Sequence, residues 1–258
     1  MNINSQKRGQ VTIFIIVAIV IVVLGVLLFL FYPKISTTST FDVENPEAFI
    51  QDCVEDDLND LIQTLSKHGI SIDPVEPFAW YEQEKLQYLC YTPNYDEACA
   101  RSPPFLIESF QEEISENIKP IIDSCFESLK QSYESKSYTV VMKKSLRDPK
   151  TAILPEQINI GISNYELTIT KQTTGKYVSF NIILNNNLYE LLNLASNILG
   201  DDVQVGQADK SKYMLENIGL EVTGPEYTDG TNIYVIKDKN TGQIFQFASR
   251  SWVSQPGV

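Results

Sequence analysis

A single histidine, His68, occurs in the whole chain. It falls at the end of a predicted helix, where an imidazole meets the negative helix terminus, and nothing near it resembles an ordered Ser-His-Asp triad. There is no Gly-x-Ser-x-Gly elbow, no Ser-x-x-Lys pair, no glycine-rich phosphate loop and no His-Glu-x-x-His. These absences remove the common serine-hydrolase, nucleotide-hydrolysing and zinc-protease chemistries. The cysteines never form Cys-x-x-Cys, the usual spacing of structural zinc ligands. No Asn-x-Ser/Thr sequon is present, which excludes N-glycosylation at that signal. Cations are scarce: 20 Lys plus Arg stand against 33 Asp plus Glu, a net charge of −13. Lys7 and Arg8 precede Pro33 and every carboxylate follows it, so the imbalance is steeper beyond that point. Such a surface repels nucleic acid and anionic headgroups and favours solubility. No nucleic-acid partner, no metal and no cofactor are expected.

What is present is one long apolar run. Val11 through Tyr32 carry no charged side chain, and Lys7 and Arg8 stand directly before them. As a helix the run spans about 33 Å, enough for a hydrocarbon core of roughly 30 Å. It is too long for a buried strand, and a single span in lipid must satisfy its own amides as a helix. Tyr32 suits the headgroup level, and Pro33 disfavours helix at the residue before it. The cations ahead of the span predict a cytoplasmic N-terminus and an extracellular remainder. A cleaved secretory signal would have a shorter apolar core and a small-x-small site, and Phe-Leu-Phe-Tyr-Pro-Lys offers none. The organisation that follows is a basic leader at 1–10, a transmembrane or pilin-like helix at 11–32, a stalk at 33–44, a helix-rich disulfide-bearing part at 45–135 and a strand-rich part at 136–258.

The string Lys7-Arg8-Gly9-Gln10-Val11-Thr12-Ile13-Phe14 resembles the class III signal of archaeal type IV pilin-like proteins. The resemblance implies cleavage between Gly9 and Gln10 and packing of like subunits through the N-terminal helix. Thr12 stands where that family often has serine. Phe14 is a departure, because the family commonly carries there a glutamate that aligns neighbouring subunits. The whole layout, with the segment Phe245-Gln246-Phe247-Ala248-Ser249-Arg250-Ser251, is also similar to single-pass surface proteins of small archaeal genomes. That second resemblance implies a location and no activity.

Cys53, Cys90, Cys99 and Cys125 all lie outside the apolar run. In a compartment that permits disulfides, four cysteines allow three pairings. Cys90–Cys99 is preferred for proximity, and Cys53–Cys125 because each falls on the apolar stripe of a predicted helix. Free buried thiols and a zinc site are the competing readings.

The first of those helices is expected over 46–68. Asn45 caps it, Pro46 suits its first turn and Gly69 ends it. The second is expected over 105–132, with a kink or break at Pro120. Alternation predicts strands at 78–81, 85–91, 138–143, 157–162, 165–171 and 177–184. Thr173-Thr174-Gly175 is expected as the hairpin turn between the last two. A helix over 187–199 should stop at Gly200, and 232–237 with 243–249 should form a closing hairpin. Helices with few strands, followed mainly by strands, predict an α+β fold with mostly antiparallel pairing.

Asp52, Asp56 and Asp60 share one face of the first helix, beside Glu55 and Asp57. A solvated outer face explains them more simply than a cation site, since calcium cages are normally built from loops. The segment Asp238-Lys239-Asn240-Thr241-Gly242 reads as a hairpin turn rather than a calcium loop. Trp252, in the polar tail, is expected to be the exposed aromatic. These features point to a membrane-anchored, extracellular, non-enzymatic surface protein, either a pilin-like subunit or an envelope component, with membrane lipid and like subunits as partners. The alternatives are an uncut anchored module binding a partner or glycan, and an anchored carboxylate-dependent hydrolase.

Overall fold

Helix α1, Pro46–His68, begins where Asn45 Oδ1 accepts hydrogen bonds from the amides of Glu47 and Ala48, both at 3.1 Å. Pro46 occupies the first turn, where its missing N–H is not needed. The helix stops at Gly69, whose φ of 71° is left-handed and whose amide donates back to the Leu65 carbonyl. Ile50, Val54, Leu58, Ile62 and Leu65 recur at helical spacing and are buried against strands and a neighbouring helix. The computed structural model describes Ile19 and residues 45–253. The processing site at Gly9 and Gln10 and, apart from Ile19, the apolar run from Val11 to Tyr32 lie outside the described residues. Among the described residues no helix is long and apolar enough to cross a membrane.

The long helix expected over 105–132 is two helices, α2 (Leu106–Asn117) and α3 (Lys119–Ser135). Pro120 sits in the first turn of α3 and cannot donate to the carbonyl four residues before it, so the backbone turns at Ile118. The apolar stripe survives the break: Phe110, Ile114, Ile118, Ile122 and Phe126 are all buried.

Twelve strands among the described residues form three sheets. The largest has the order β1-β2-β12-β11-β10, with β3 paired to β2. Its members are β1 (Phe78–Tyr81), β2 (Glu84–Tyr91), β3 (Ala100–Arg101), β10 (Leu220–Thr223), β11 (Thr231–Asp238) and β12 (Ile244–Arg250). Two three-stranded sheets have the orders β4-β7-β8 and β5-β6-β9. They comprise β4 (Thr139–Lys144), β7 (Tyr165–Thr170) and β8 (Thr174–Tyr177), and β5 (Lys150–Leu154), β6 (Gln157–Ile162) and β9 (Phe180–Asn185). Pairing is antiparallel except between β12 and β2, which run parallel with Ala248 opposite Tyr88. Helices α4 (Leu188–Val205) and α5 (Lys210–Glu216) complete an α+β architecture. The parallel pair joins the helix-rich and strand-rich parts in one sheet, and residues from Asn45 onward form one compact unit.

Several local expectations are corrected. The run 177–184 is not one strand: β8 ends at Tyr177, β9 begins at Phe180, and the two belong to different sheets. The buried alternation holds only from Phe180 onward, because Val178 points to solvent, 54% exposed, as the chain changes sheet. Thr174 and Gly175 are not in the turn but pair with Thr170 and Ile169. Helix α4 continues through Gly200 to Val205, because Leu199 and Asp202 extend its buried face; Gly206, at φ 83°, ends it. A mid-helix glycine costs only about 1 kcal/mol, which that burial outweighs.

Trp252 is not the exposed indole. It lies over Gly230 and meets the Tyr95 ring at 5.0 Å between centroids, whereas Trp80 on the edge strand β1 is 62% exposed. A Cβ on Gly230, which has φ 83°, would fall 2.4 Å from the Trp252 ring. Gly230→Ala is therefore expected to destabilise the fold by about 2 kcal/mol, combining backbone strain with displacement of the indole. Thermal unfolding followed by tryptophan fluorescence reads this out; an unchanged midpoint would show that the ring is not seated on the glycine.

Candidate functional site

The residues singled out by sequence are mostly engaged in structure. Cys53 bonds to Cys125 and Cys90 to Cys99, and no free cysteine remains. The first bond ties α1 to α3, and the second closes a short loop beside β3. His68 Nδ1–H donates to the Ile72 carbonyl at 3.1 Å, and Nε2 lies 3.5 Å from Glu84. The ring thus fastens the turn after α1. Asp52, Asp56, Asp57 and Asp60 are exposed along α1. Among the described residues no group of three or more His, Cys, Asp or Glu is placed to hold a metal ion.

Asp238 closes the β11–β12 turn. Its Oδ1 accepts from the amides of Asn240 and Thr241, and its Oδ2 accepts from Asn187 Nδ2 at 2.7 Å. Burial opposes its charge, but these hydrogen bonds outweigh burial and hold the carboxyl below its ordinary range. The side chain thus serves as the fastening of a hairpin turn.

The Asp238–Asn187 contact has a consequence for the surface beside it. It pins the β11–β12 turn against the β9–α4 junction, and a second link reinforces it: Gln243 Nε2 donates to Asn186 Oδ1 at 2.9 Å. Asn186 Oδ1 also accepts from the Leu188 amide at 2.9 Å, so the same atom starts α4. On the other side, α1 is fixed to β9 by Gln51. Its Oε1 accepts from the Ile183 amide at 2.8 Å and its Nε2 donates to the Ile183 carbonyl at 3.0 Å. Gln51 thereby seals part of an edge strand that would otherwise stay unpaired.

Between these three fixed elements lies an open cleft of about 880 Å³. One wall is the second half of α1, with Asn59, Gln63, Ser66 and Lys67. The other is the end of β9 with Asn185 to Asn187, and the turn with Thr241 and Gln243. Ile62 and Ile244 supply its aliphatic surface. Ionisable side chains are few and of mixed sign: Asp60 and Glu156 against Lys67. No aromatic, histidine or cysteine lines it.

Two features separate the cleft from ordinary surface. Ser66 is only 2% exposed, and its hydroxyl has no hydrogen-bond partner in the protein. A buried unpaired hydroxyl costs about 1–3 kcal/mol, so the fold carries a penalty here. The walls are also preorganised, because Asn186, Asn187 and Gln243 are held by bonds to one another and to Asp238. Chemically, the arrangement offers neutral donors and acceptors with no base bonded to a nucleophile.

Sequence reasoning missed this site. The run Asn185-Asn186-Asn187 between a strand and a helix was the visible signal. Nothing local indicated that α1 and the closing hairpin would flank it. Comparison of the chain with family models, curated proteins and solved structures finds no match.

Proposed function

We propose that this chain is a single-pass surface protein with its N-terminus in the cytoplasm. Residues 11–32 anchor it in lipid, and the domain beyond the stalk is a non-enzymatic binding module facing outward. The observation that carries this reading is the pair of disulfides, Cys53–Cys125 and Cys90–Cys99, in a chain whose charge-free run follows Lys7 and Arg8. Disulfides form and persist in oxidising compartments, and the flanking cations orient the span to place the domain there. The acidic composition supports a solvated domain that stands off anionic headgroups and nucleic acid. The resemblance at Gly9 and Gln10 adds pilin-like processing, with like subunits meeting through the helix.

Protease shaving of intact cells tests the location. Peptides from residues 45–253 are expected in the released fraction, and peptides from residues 1–8, where the leader is uncut, only after lysis. Protection of the domain in intact cells would overturn the reading. Mass spectrometry of the mature N-terminus tests processing: a chain beginning at Gln10 supports it, and one beginning at Met1 rejects it while leaving the anchor in place.

A further inference from the structure

We propose that the cleft between α1, the β9–α4 junction and the β11–β12 turn binds a neutral polyhydroxylated ligand, a short glycan chain. The proposal takes from the reading above only that the domain is a binding module facing outward.

Four observations point to this chemistry. The first is volume: about 880 Å³ lies within the range of sites for small ligands, roughly 300–1,000 Å³. The second is the type of hydrogen-bonding group. Amide side chains offer donors and an acceptor together, as sugar hydroxyls do, so a wall of amides reads a polyol from either side. Gln63 is exposed and makes no hydrogen bond within the protein, and Asn59 spends only Nδ2, on the Glu55 carbonyl. Asn186 and Gln243 present what their mutual bond leaves over, an Nδ2 and an Oε1.

The third observation is Ser66. Ser66 lies in the cleft wall, and its hydroxyl is buried and unpaired. A ligand hydroxyl that met it would relieve a cost the free protein carries. The fourth is the character of the remaining surface. With Lys67 set against Asp60 and Glu156, the lining has no strong field of one sign, while the chain as a whole is acidic. Anions are therefore disfavoured at long range and are not recovered locally. A peptide would call for an apolar pocket to seat an anchoring side chain, and the lining has no aromatic residue to build one. The partly exposed aliphatic face of Ile244 suits the C–H face of a sugar ring.

The test uses the full chain in a zwitterionic detergent, free of sugar headgroups, followed by NMR of its side-chain amides. The probes are chitotriose, cellotriose and mannotriose, with capped trialanine as the peptide arm. At least one trisaccharide is expected to give saturable millimolar binding, with shifts confined to Asn59, Gln63, Asn185 and Gln243. Gln63→Ala combined with Ser66→Ala should weaken that binding tenfold or more. Because Gln63 is exposed and unbonded, Gln63→Ala alone keeps the test valid if the double variant misfolds, and it should weaken binding severalfold. Shifts with none of the three sugars, shifts centred elsewhere, or tighter binding of trialanine in the cleft would each overturn the proposal. Failure here leaves the shaving result untouched, and a cytoplasmic domain would not by itself abolish binding in detergent.

Discussion

Replacing Cys53 and Cys125 together by alanine is expected to lower the unfolding free energy by about 4 kcal/mol. The bond joins positions 72 residues apart, and the loop it closes in the unfolded chain spans α1, β1 to β3, α2 and half of α3. Releasing a loop of that size returns far more conformational entropy than releasing the Cys90–Cys99 loop, whose ends are 9 apart. The same double substitution at Cys90 and Cys99 should therefore cost only about 2.5 kcal/mol. Cys125 is also buried on the stripe shared with Phe126 and Leu129, so its truncation leaves a small void that adds to the loss. Guanidinium unfolding of the full chain in micelles, followed by tryptophan fluorescence, measures both variants. A steeper denaturant dependence is expected for the Cys53/Cys125 variant, because its unfolded ensemble expands and exposes more surface. A loss smaller than that of the Cys90/Cys99 variant would refute the loop argument. Since whole-domain stabilities run about 5–15 kcal/mol, the long-range bond can decide whether the domain stays folded.

The second large effect lies at Asp202, near the end of α4 and fully buried. Its Oδ1 accepts from the Tyr234 hydroxyl at 2.7 Å and from the Ala208 amide at 2.8 Å. Through it α4, the turn that follows and strand β11 are locked together. Burial raises the carboxyl above its ordinary range, and the hydrogen bonds recover only part of that cost. Oδ2 and the nearby Ser249 hydroxyl fall short of strict hydrogen-bond geometry, yet Ser249 lies close enough to favour the carboxylate in part. Asp202→Ala removes the acceptor of the Tyr234 hydroxyl, which keeps only the long contact from the Ala208 amide at 3.3 Å, for an expected loss of about 3 kcal/mol. Asp202→Asn should behave oppositely. Its carbonyl oxygen keeps both bonds, its amide nitrogen can donate to Ser249 Oγ, and no charge is buried, so stability at neutral pH should match or exceed the native chain.

The pH dependence separates the two substitutions further. A carboxyl whose folded value is raised binds its proton more tightly in the folded state. Its contribution is fully present below the unfolded value, about 3.9, and falls as pH rises through the raised folded value. The advantage of Asp202→Asn over the native chain should therefore be smallest near pH 4 and grow to a plateau above the folded value. Comparing the two chains cancels carboxylates such as Asp123 and Asp238, which are shifted downward and titrate alike in both. A difference that did not change between acid and neutral pH would show that Asp202 carries no raised value.

How much of this was readable from the residues in order depends on the range over which each signal acts. Helix α1 was legible end to end, because its start and stop are properties of adjacent residues. Asn45 reaches amides two and three positions on, and Gly69 tolerates a left-handed φ that other residues resist. The break between α2 and α3 was legible for the same reason, since a missing N–H at Pro120 acts within one turn. The hairpin β11–β12 and the strands β1, β6 and β9 declared themselves by alternation or turn chemistry. What failed was membership. Residues 177–184 read as a single alternating strand, although two sheets divide them, because alternation reports a buried face without saying which sheet buries it. Helix α4 overran Gly200, because burial of Leu199 and Asp202 is a tertiary fact stronger than one glycine's propensity. Trp252 looked solvated in a polar tail until Gly230, more than twenty residues earlier, proved to be its seat.

The cleft marks the same boundary. Gln63, Ser66, Asn186 and Gln243 each have an unremarked neighbourhood in the chain, and a free amide on a helix usually means solvent. They became a site when Gln51 clipped α1 to the edge of β9 and when Asp238 and Gln243 drew the closing turn onto the β9–α4 junction. Composition and local pattern sufficed for the apolar run, the acidic character, the first helix and the class of fold, because charge, hydropathy and capping operate over a few residues. The shape of the polar cleft, the burial of Asp202 and the division of the strands among three sheets were settled only by packing. Each depends on groups distant in the chain, 32 residues apart for Asp202 and Tyr234 and 132 for Gln51 and Ile183, whose meeting is determined by the free energy of the whole core.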